Sequence, residues 1–549
     1  MRTFVTVAVL VMLGTSTLAA AQGHVPNPAA KAAFDKGRAI EDSAFEGEID
    51  KPESRRAFEK ARDLYRKAIS LDPDYYQAHE GYTQCYSLAA MKAVTTDPAQ
   101  KAAGERAEKD LQAQYKEWAK EYPDKAVYPY ILGTLNEEEN PELSVQYYQQ
   151  AVKIDPKYAP AYAMLSVNAE EHGDQELRRE YARKAFEYWP NDVNFWHGMV
   201  EAWDSFEEEK KFLLQMTEKF PDEGATWLAY VARRSYDEKQ RLELYELIRQ
   251  KYPKQAGSTL PDLFSIYLRS DAAKARDLAK EMIGPDPEDK TWPLLLNYAQ
   301  TVIDAERLIA EGKAQSAVAL LDKVRLPPYV SDPRVLQLTH AKAVDATGNT
   351  TRAYEDLMAI VATTPSDEVS KALLAYGAKL GEDQKQVESD VWAKRLADAK
   401  PQRPFSLVSF TSGKDVSTKE YMGKVYLVNF WYPKCSPCRG EFPFLKAVLD
   451  KYKSRGFEIL AINGVPQQDG LVLPLMNSLK LGFIPLKSTE EVLKDFNIRG
   501  RYPENFLIGA DGRMYYEPRL PVSTPDAQRE LELQIEALLA HAQSTAPLP

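Results

Sequence analysis

A chain of 549 residues has room for three or four domains of ordinary size, and 44% hydrophobic residues, 28% charged residues and a mean hydropathy of -0.47 exclude both a polytopic membrane protein and a largely disordered one. Lys and Arg total 70 against 81 Asp and Glu, so a net charge of -11 repels nucleic-acid phosphates and no nucleic-acid partner is expected. Three cysteines, Cys85, Cys435 and Cys438, are too few to staple a chain of this length.

The chain opens on Arg2 and an apolar run from Phe4 to Leu13, followed by small residues that end in Ala19, Ala20 and Ala21. This pattern predicts a secretory signal peptide over residues 1–21, and with it an extracytoplasmic location, periplasmic in a Gram-negative host. No Cys follows the cleavage site, so no lipid anchor is expected, and no later stretch supplies the roughly 20 apolar residues of a membrane span.

From about residue 55 to residue 380 apolar residues recur at three- and four-residue spacing, which predicts amphipathic helices. The prolines Pro123, Pro156, Pro190, Pro221, Pro253 and Pro287 follow helix ends at intervals of 33, 34, 31, 32 and 34 residues. A period near 34 with Pro closing each unit resembles the helix-turn-helix tetratricopeptide repeat. Ala61, Tyr65, Ala68 and Pro73 in ARDLYRKAISLDP recur in register as Ser144, Tyr148, Ala151 and Pro156 in SVQYYQQAVKIDP. The 50 residues between Pro73 and Pro123 predict an insertion, and the intervals of 41 and 37 that end at Pro328 and Pro365 predict degenerate repeats. A tetratricopeptide-like helical region is therefore expected over residues 22–385, either docking protein partners or acting as a rigid spacer.

Composition changes near residue 380. The helical stretch QKQVESDVWAKRLADA runs into KPQRP, where Pro401 and Pro404 enforce an extended connection, so a linker is placed over residues 386–402. Over residues 403–549 strands and helices alternate. KVYLVNFWY and FEILAIN read as buried strands, PFLKAVLDKYKSRG as a helix, and ENFLIGADGRMYYEP as a hairpin turning at Asp511-Gly512. With a last helix from about Asp526 to His541, the order predicts an α/β domain.

Within it, Cys435-Ser436-Pro437-Cys438 follows a strand and opens a helix, which puts the two sulfurs within bridging reach and the first at the helix N-terminus. Exposed N–H groups and the helix dipole there favour thiolate, as do the charges of Lys434 and Arg439. Such a dithiol can carry out thiol-disulfide exchange. Half of a metal site and an inert disulfide are the other readings of the pair; no second C-x-x-C, no C-x-x-H and no His cluster supports the metal. Cys85 reads as a buried, unreactive thiol on a repeat helix.

GKVYLVNFWYPKCSPCRGEFPFLKAVLDKYKSRGFEILAIN and the later FNIRGRYPENFLIGADGR resemble the TlpA/ResA-like branch of the thioredoxin fold, extracytoplasmic thiol oxidoreductases. The resemblance covers about residues 403 to 540. It implies an attacking Cys435, a resolving Cys438, and in Pro503 a cis-proline that faces them and aligns the substrate backbone. Glu441 would exchange protons with Cys438, although as a first-turn carboxylate it could equally stabilise the helix dipole. The redox-active Cys435–Cys438 disulfide would then be the working group, with no separate cofactor and no metal. Partners would be protein thiol or disulfide substrates and an upstream redox protein. Four positions depart from the pattern: Lys434 stands where Trp is usual, Asn429 where thioredoxins carry a buried acid, and Tyr502 and Glu504 flank Pro503. These departures leave two alternatives, a repeat scaffold with a mainly structural thioredoxin-like domain and a peroxiredoxin-like peroxidase. The peroxidase lacks its usual hydroxyl residue, since Tyr432 stands three before Cys435.

Overall fold

A computed structural model describes residues 24–45, 52–90, 98–137, 140–200, 203, 205–235, 237–284, 290–326, 332–516 and 521–545. The expected signal peptide, Pro287 and Pro328 lie outside these residues. The chain divides into two compact units between Glu209 and Lys210, each described by itself.

In the first unit the repeat residues form the packing faces of helix pairs. Ala61, Tyr65 and Ala68 on the Pro52–Leu71 helix are fully buried, and so are their counterparts Ser144, Tyr148 and Ala151 on Pro141–Ile154. A three- and four-residue spacing puts each trio on one stripe of its helix. The two tyrosines need room, and glycines supply it. A Cβ on Gly81 would lie 2.7 Å from the Tyr65 ring, and one on Gly133 would collide with the Tyr148 ring. Helix starts use side-chain caps: Asn140, Asp174 and Asp192 accept N–H bonds from Leu143, Leu177 and Asn194. Pro73, Pro156 and Pro190 fall just after helix ends, in the turns that separate successive helices.

In the second unit helices continue from Pro221–Ala232 to Gln384–Asp398 before the sheet begins. The Gln384–Asp398 helix buries Val387 and Val391 in a core with Tyr354, Leu357 and Leu373. Its buried Arg395 donates to the carbonyls of Ala362 (3.2 Å) and Val361 (3.1 Å).

Among the described residues there are eight strands in two separate sheets. A hairpin joins β2 (Ser406–Val408) to β3 (Asp415–Ser417), apart from a six-stranded mixed sheet of order β1-β8-β7-β4-β5-β6. Here β1 is Lys400–Pro401, β4 Val425–Trp431, β5 Phe457–Asn463, β6 Ile484–Lys487, β7 Glu504–Ile508 and β8 Arg513–Tyr516. The extended connection expected at Pro401 thus becomes an edge strand, antiparallel to β8. The β7–β8 turn falls at Asp511-Gly512 as expected, with Gly512 at φ 77°. Central β4 runs parallel to β5 and antiparallel to β7, and every residue in it is buried, as its unbroken apolar run requires.

The two faces of β4 build two cores. Tyr426, Val428 and Phe430 pack with Leu460, Ile462 and Phe506, whereas Val425, Leu427 and Trp431 pack under the helices Ser436–Tyr452 and Pro525–Thr545. Asn429 therefore stands on the second face, opposite Asn505 of β7 in the register. This is a thioredoxin-like α/β domain following tetratricopeptide-like helices, the architecture expected from the sequence.

The Pro525–Thr545 helix also ties the sheet domain to the preceding helices. Leu531, Ile535 and Leu538 face the core, while Arg529 grips Asp367 with two bonds of 2.9 Å and Gln534 donates to the Thr363 carbonyl at 2.8 Å. Trp392 stacks on His541 with ring centroids 3.6 Å apart.

Candidate functional site

Strand β4 delivers the chain to Pro433 and Lys434, and the next residue caps a helix. Cys435 is the N-cap of Ser436–Tyr452, with Pro437 in the first turn, where its missing N–H is no loss. The Cys435 Sγ accepts the Cys438 backbone N–H at 3.1 Å, so the first sulfur occupies the place of an N-capping oxygen at the positive end of the helix. Cys435 and Cys438 are disulfide-bonded with Cα atoms 5.2 Å apart. The charges expected around the pair differ in setting. Lys434 is exposed, whereas Arg439 is mostly buried and burial pulls its guanidinium below the ordinary arginine range.

Cys435 opens onto a groove of about 680 Å³ whose wall includes Tyr432, Arg499, Arg501, Tyr502 and Pro503. The Tyr502–Pro503 peptide is cis. Tyr502 meets Tyr432 edge to face at 5.3 Å and donates its hydroxyl to the Gly464 carbonyl at 3.1 Å. Gly464 permits this approach, because a Cβ there would overlap the Tyr502 ring.

Glu441 lies one turn beyond Cys438, is fully buried, and does not itself line the groove. Three N–H donors converge on its carboxylate. Asn429 Nδ2 reaches Oε1 at 2.8 Å, and Asn505 Nδ2 and the Val522 N–H reach Oε2 at 3.0 and 3.1 Å. Asn429 Nδ2 also donates to Asn505 Oδ1 at 2.8 Å, which locks the cross-strand pair. Burial pushes the Glu441 carboxyl up to about 7, and the donors from Val522, Asn505 and Asn429 hold it from rising further. A solvated first-turn carboxylate stabilising the dipole would not be buried in this way. A carboxyl titrating near neutrality beside a dithiol can take up and release a proton.

Of the four residues singled out in the sequence, Cys435 and Pro503 line the groove, whereas Cys438, bonded to Cys435, and Glu441 are buried residues of the Ser436–Tyr452 helix. Sequence reasoning did not find Asn505 and Val522. They lie 64 and 81 positions after Glu441, and only the β4–β7 register and the entry to the last helix bring them back. Nor did it find Tyr230 on the Pro221–Ala232 helix, whose hydroxyl would meet a Cβ placed on Gly440 at 3.9 Å. A repeat helix therefore borders the first turns of the cysteine helix. Cys85 is buried, and its thiol is pushed up by burial and by Glu41 beside it. Among the described residues no three His, Cys, Asp or Glu side chains gather as a metal site, and no helix is long and apolar enough to cross a membrane.

Comparison with known proteins gives matches at both ends of this architecture. The Redoxin family model matches residues 398–533, and a tetratricopeptide repeat model matches residues 133–158. The thiol-disulfide oxidoreductase ResA of Bacillus thuringiensis (strain Al Hakam) is 30% identical over 112 residues, 20% of this chain and 64% of the relative. ResA of Bacillus subtilis (strain 168) is 31% identical over 112 residues, 20% of this chain and 62% of the relative. The chain thus spans a little under two thirds of the length of these relatives. A crystal structure of a thiol:disulfide interchange protein of the thioredoxin family from Chlorobium tepidum TLS is 28% identical, covering 26% of this chain and 97% of that one with a TM-score of 0.22.

Proposed function

We propose that this chain, whose C-terminal domain resembles ResA-type thiol-disulfide oxidoreductases, exchanges disulfides with protein substrates outside the cytoplasm. The observation that carries the reading is the Cys435–Cys438 disulfide at a helix N-terminus, opening on the groove that Pro503 lines. In the reducing direction, the Cys435 thiolate attacks one sulfur of a substrate disulfide, and the other substrate sulfur leaves as a thiolate. The Cys438 thiolate then attacks Cys435 Sγ, which frees the second substrate sulfur and forms the Cys435–Cys438 disulfide. Two electrons pass from the protein dithiol to the substrate, and an upstream dithiol must return them. The Cys438 backbone N–H at the positive end of the helix stabilises the Cys435 thiolate as nucleophile and leaving group. Glu441 takes the proton that Cys438 releases on becoming the attacking thiolate.

Export rests on the leader pattern at residues 1–21. For the repeats we propose a docking role, supported by Tyr230 beside the cysteine helix and by the Arg529–Asp367 pair that anchors the sheet domain to its neighbouring helices.

Reduction of a protein disulfide followed by turbidity tests the reading. The reduced full chain should precipitate the substrate's freed chains, and Cys435→Ser should abolish this; full activity in that variant would sink the proposal. Titrating the cysteine pair against thiol buffers then sets the direction, with a potential near about -270 mV marking a reductase and one near about -120 mV an oxidant.

A further inference from the structure

Two guanidinium groups stand at the reactive groove without a carboxylate to neutralise them. Arg499 and Arg501 are both exposed and both line the groove that Cys435 opens onto. Arg499 donates its Nε–H to Asn497 Oδ1 at 2.8 Å, and neither arginine pairs with a carboxylate among the described residues. Several other arginines of this unit are paired with carboxylates. Arg269 reaches Glu238 and Asp332, Arg334 reaches Asp332, Glu368 and Asp526, and Arg529 reaches Asp367 and Glu536. An acidic chain with net charge -11 thus leaves cations uncompensated where a substrate must enter.

The surroundings add to the charge. Lys494 joins Arg499 in an adjoining hollow. Against these, Glu504 is the one acid among the described residues lining the groove, and Glu490 the one in the hollow. Gly500, at φ 80°, separates the arginines in a backbone conformation that L side chains seldom adopt, which fixes the course of the loop that carries them. This loop leads directly into Tyr502 and Pro503, so a chain lying against Pro503 passes the two guanidinium groups.

We propose that Arg499 and Arg501 make this groove selective for substrates whose disulfide is flanked by an extended acidic segment. The inference rests on the exchange reading above and concerns its substrate class. Guanidinium groups suit carboxylates because they present paired N–H donors in the plane of the acid. Exposed pairs of this kind contribute modestly each, act on encounter as well as on affinity, and weaken with salt.

Two peptides with the same disulfide, one flanked by Asp and Glu and the other by Lys, test it on the full chain. At low salt kcat/KM should favour the acidic peptide by about three- to tenfold, the preference two exposed pairs can supply, and added salt should erase it. Arg499→Gln/Arg501→Gln should bring the ratio near one, and Arg499→Glu/Arg501→Glu should invert it. A ratio near one in the unsubstituted chain, or one that the substitutions do not move, overturns the inference and leaves exchange standing. Fluorescence anisotropy with the same peptides carrying Ser for Cys separates the two ideas. Tighter, salt-sensitive binding of the acidic peptide without any exchange would keep the charge selection and remove the exchange reading. Equal binding of both peptides would overturn the selection whatever the exchange rates.

Discussion

Glu441→Gln should flatten the pH dependence of the sheet domain's stability near neutrality. The carboxyl is fully buried, and burial raises it from 4.5 to about 7 in the fold. The fold therefore favours the protonated acid, and the advantage is fully present below pH 4.5 and lost once the pH has risen through about 7. At about 1.36 kcal/mol per pH unit between the folded and unfolded values, the whole loss is about 3 kcal/mol. Between about pH 5.5 and 8.5, the part that linkage leaves to observe is about 2 kcal/mol. Hydrogen exchange of the amides in β4, read by mass spectrometry, reports the local opening free energy without requiring the whole chain to unfold in one step. The unsubstituted chain should lose that amount over this range and Glu441→Gln should not. Taking the difference between the two chains cancels every other titrating group and the intrinsic exchange rates. Asn505→Leu, which removes one donor to the carboxylate, should push the loss to higher pH. An equal slope in the unsubstituted chain and in Glu441→Gln would refute the argument, because the acid would then not be held protonated by burial.

Other substitutions probe the packing and the groove. Leu427→Ala, at a fully buried position on β4, should destabilise the sheet domain by about 2–5 kcal/mol, measured by the same exchange experiment. Gly464→Ala should push Tyr502 off its hydrogen bond to the Gly464 carbonyl and lower kcat/KM for a disulfide peptide about tenfold while far-ultraviolet circular dichroism stays unchanged. Unaltered kinetics in that variant would show that Tyr502 does not shape the groove. Gly133→Ala should destabilise the first unit by about 1–3 kcal/mol in thermal unfolding, because the Tyr148 ring has nowhere to go. Cys85 should resist iodoacetamide in the native chain and react after unfolding; modification at native pH as fast as that of a free thiol would contradict its burial.

What could be read from the sequence is what local pattern controls. The apolar run VYLVNFW can be satisfied only by a strand covered on both faces, and Asp511-Gly512 marks a turn that accepts positive φ. The repeat register of Tyr65 and Tyr148 was legible because the same face of two helices must be filled in the same way. Cys435 at an N-cap follows from strand, Pro and helix in succession. What stayed hidden depends on contacts between distant segments. Asn429 stood out as the residue replacing a buried acid, yet nothing local says that its amide donates to Glu441, which requires Asn505 opposite it. The short strands β2, β3 and β6 have three or four residues each, too few for a period to register. Nothing local marks Arg499 and Arg501; the fold sets them on the groove that Cys435 lines.

The Val522 N–H that reaches Glu441 has a bearing on how the molecule is made. On a growing chain the cysteines emerge well ahead of Val522, which follows Glu441 by 81 positions. Until the Pro525–Thr545 helix arrives, Glu441 lacks one of its three donors, and Leu531, Ile535 and Leu538 are missing from the core beneath the cysteine helix. An interrupted product would therefore carry the thiols without the surroundings that tune them. The surroundings of the reactive pair are thus complete only once the chain has been synthesised through this helix.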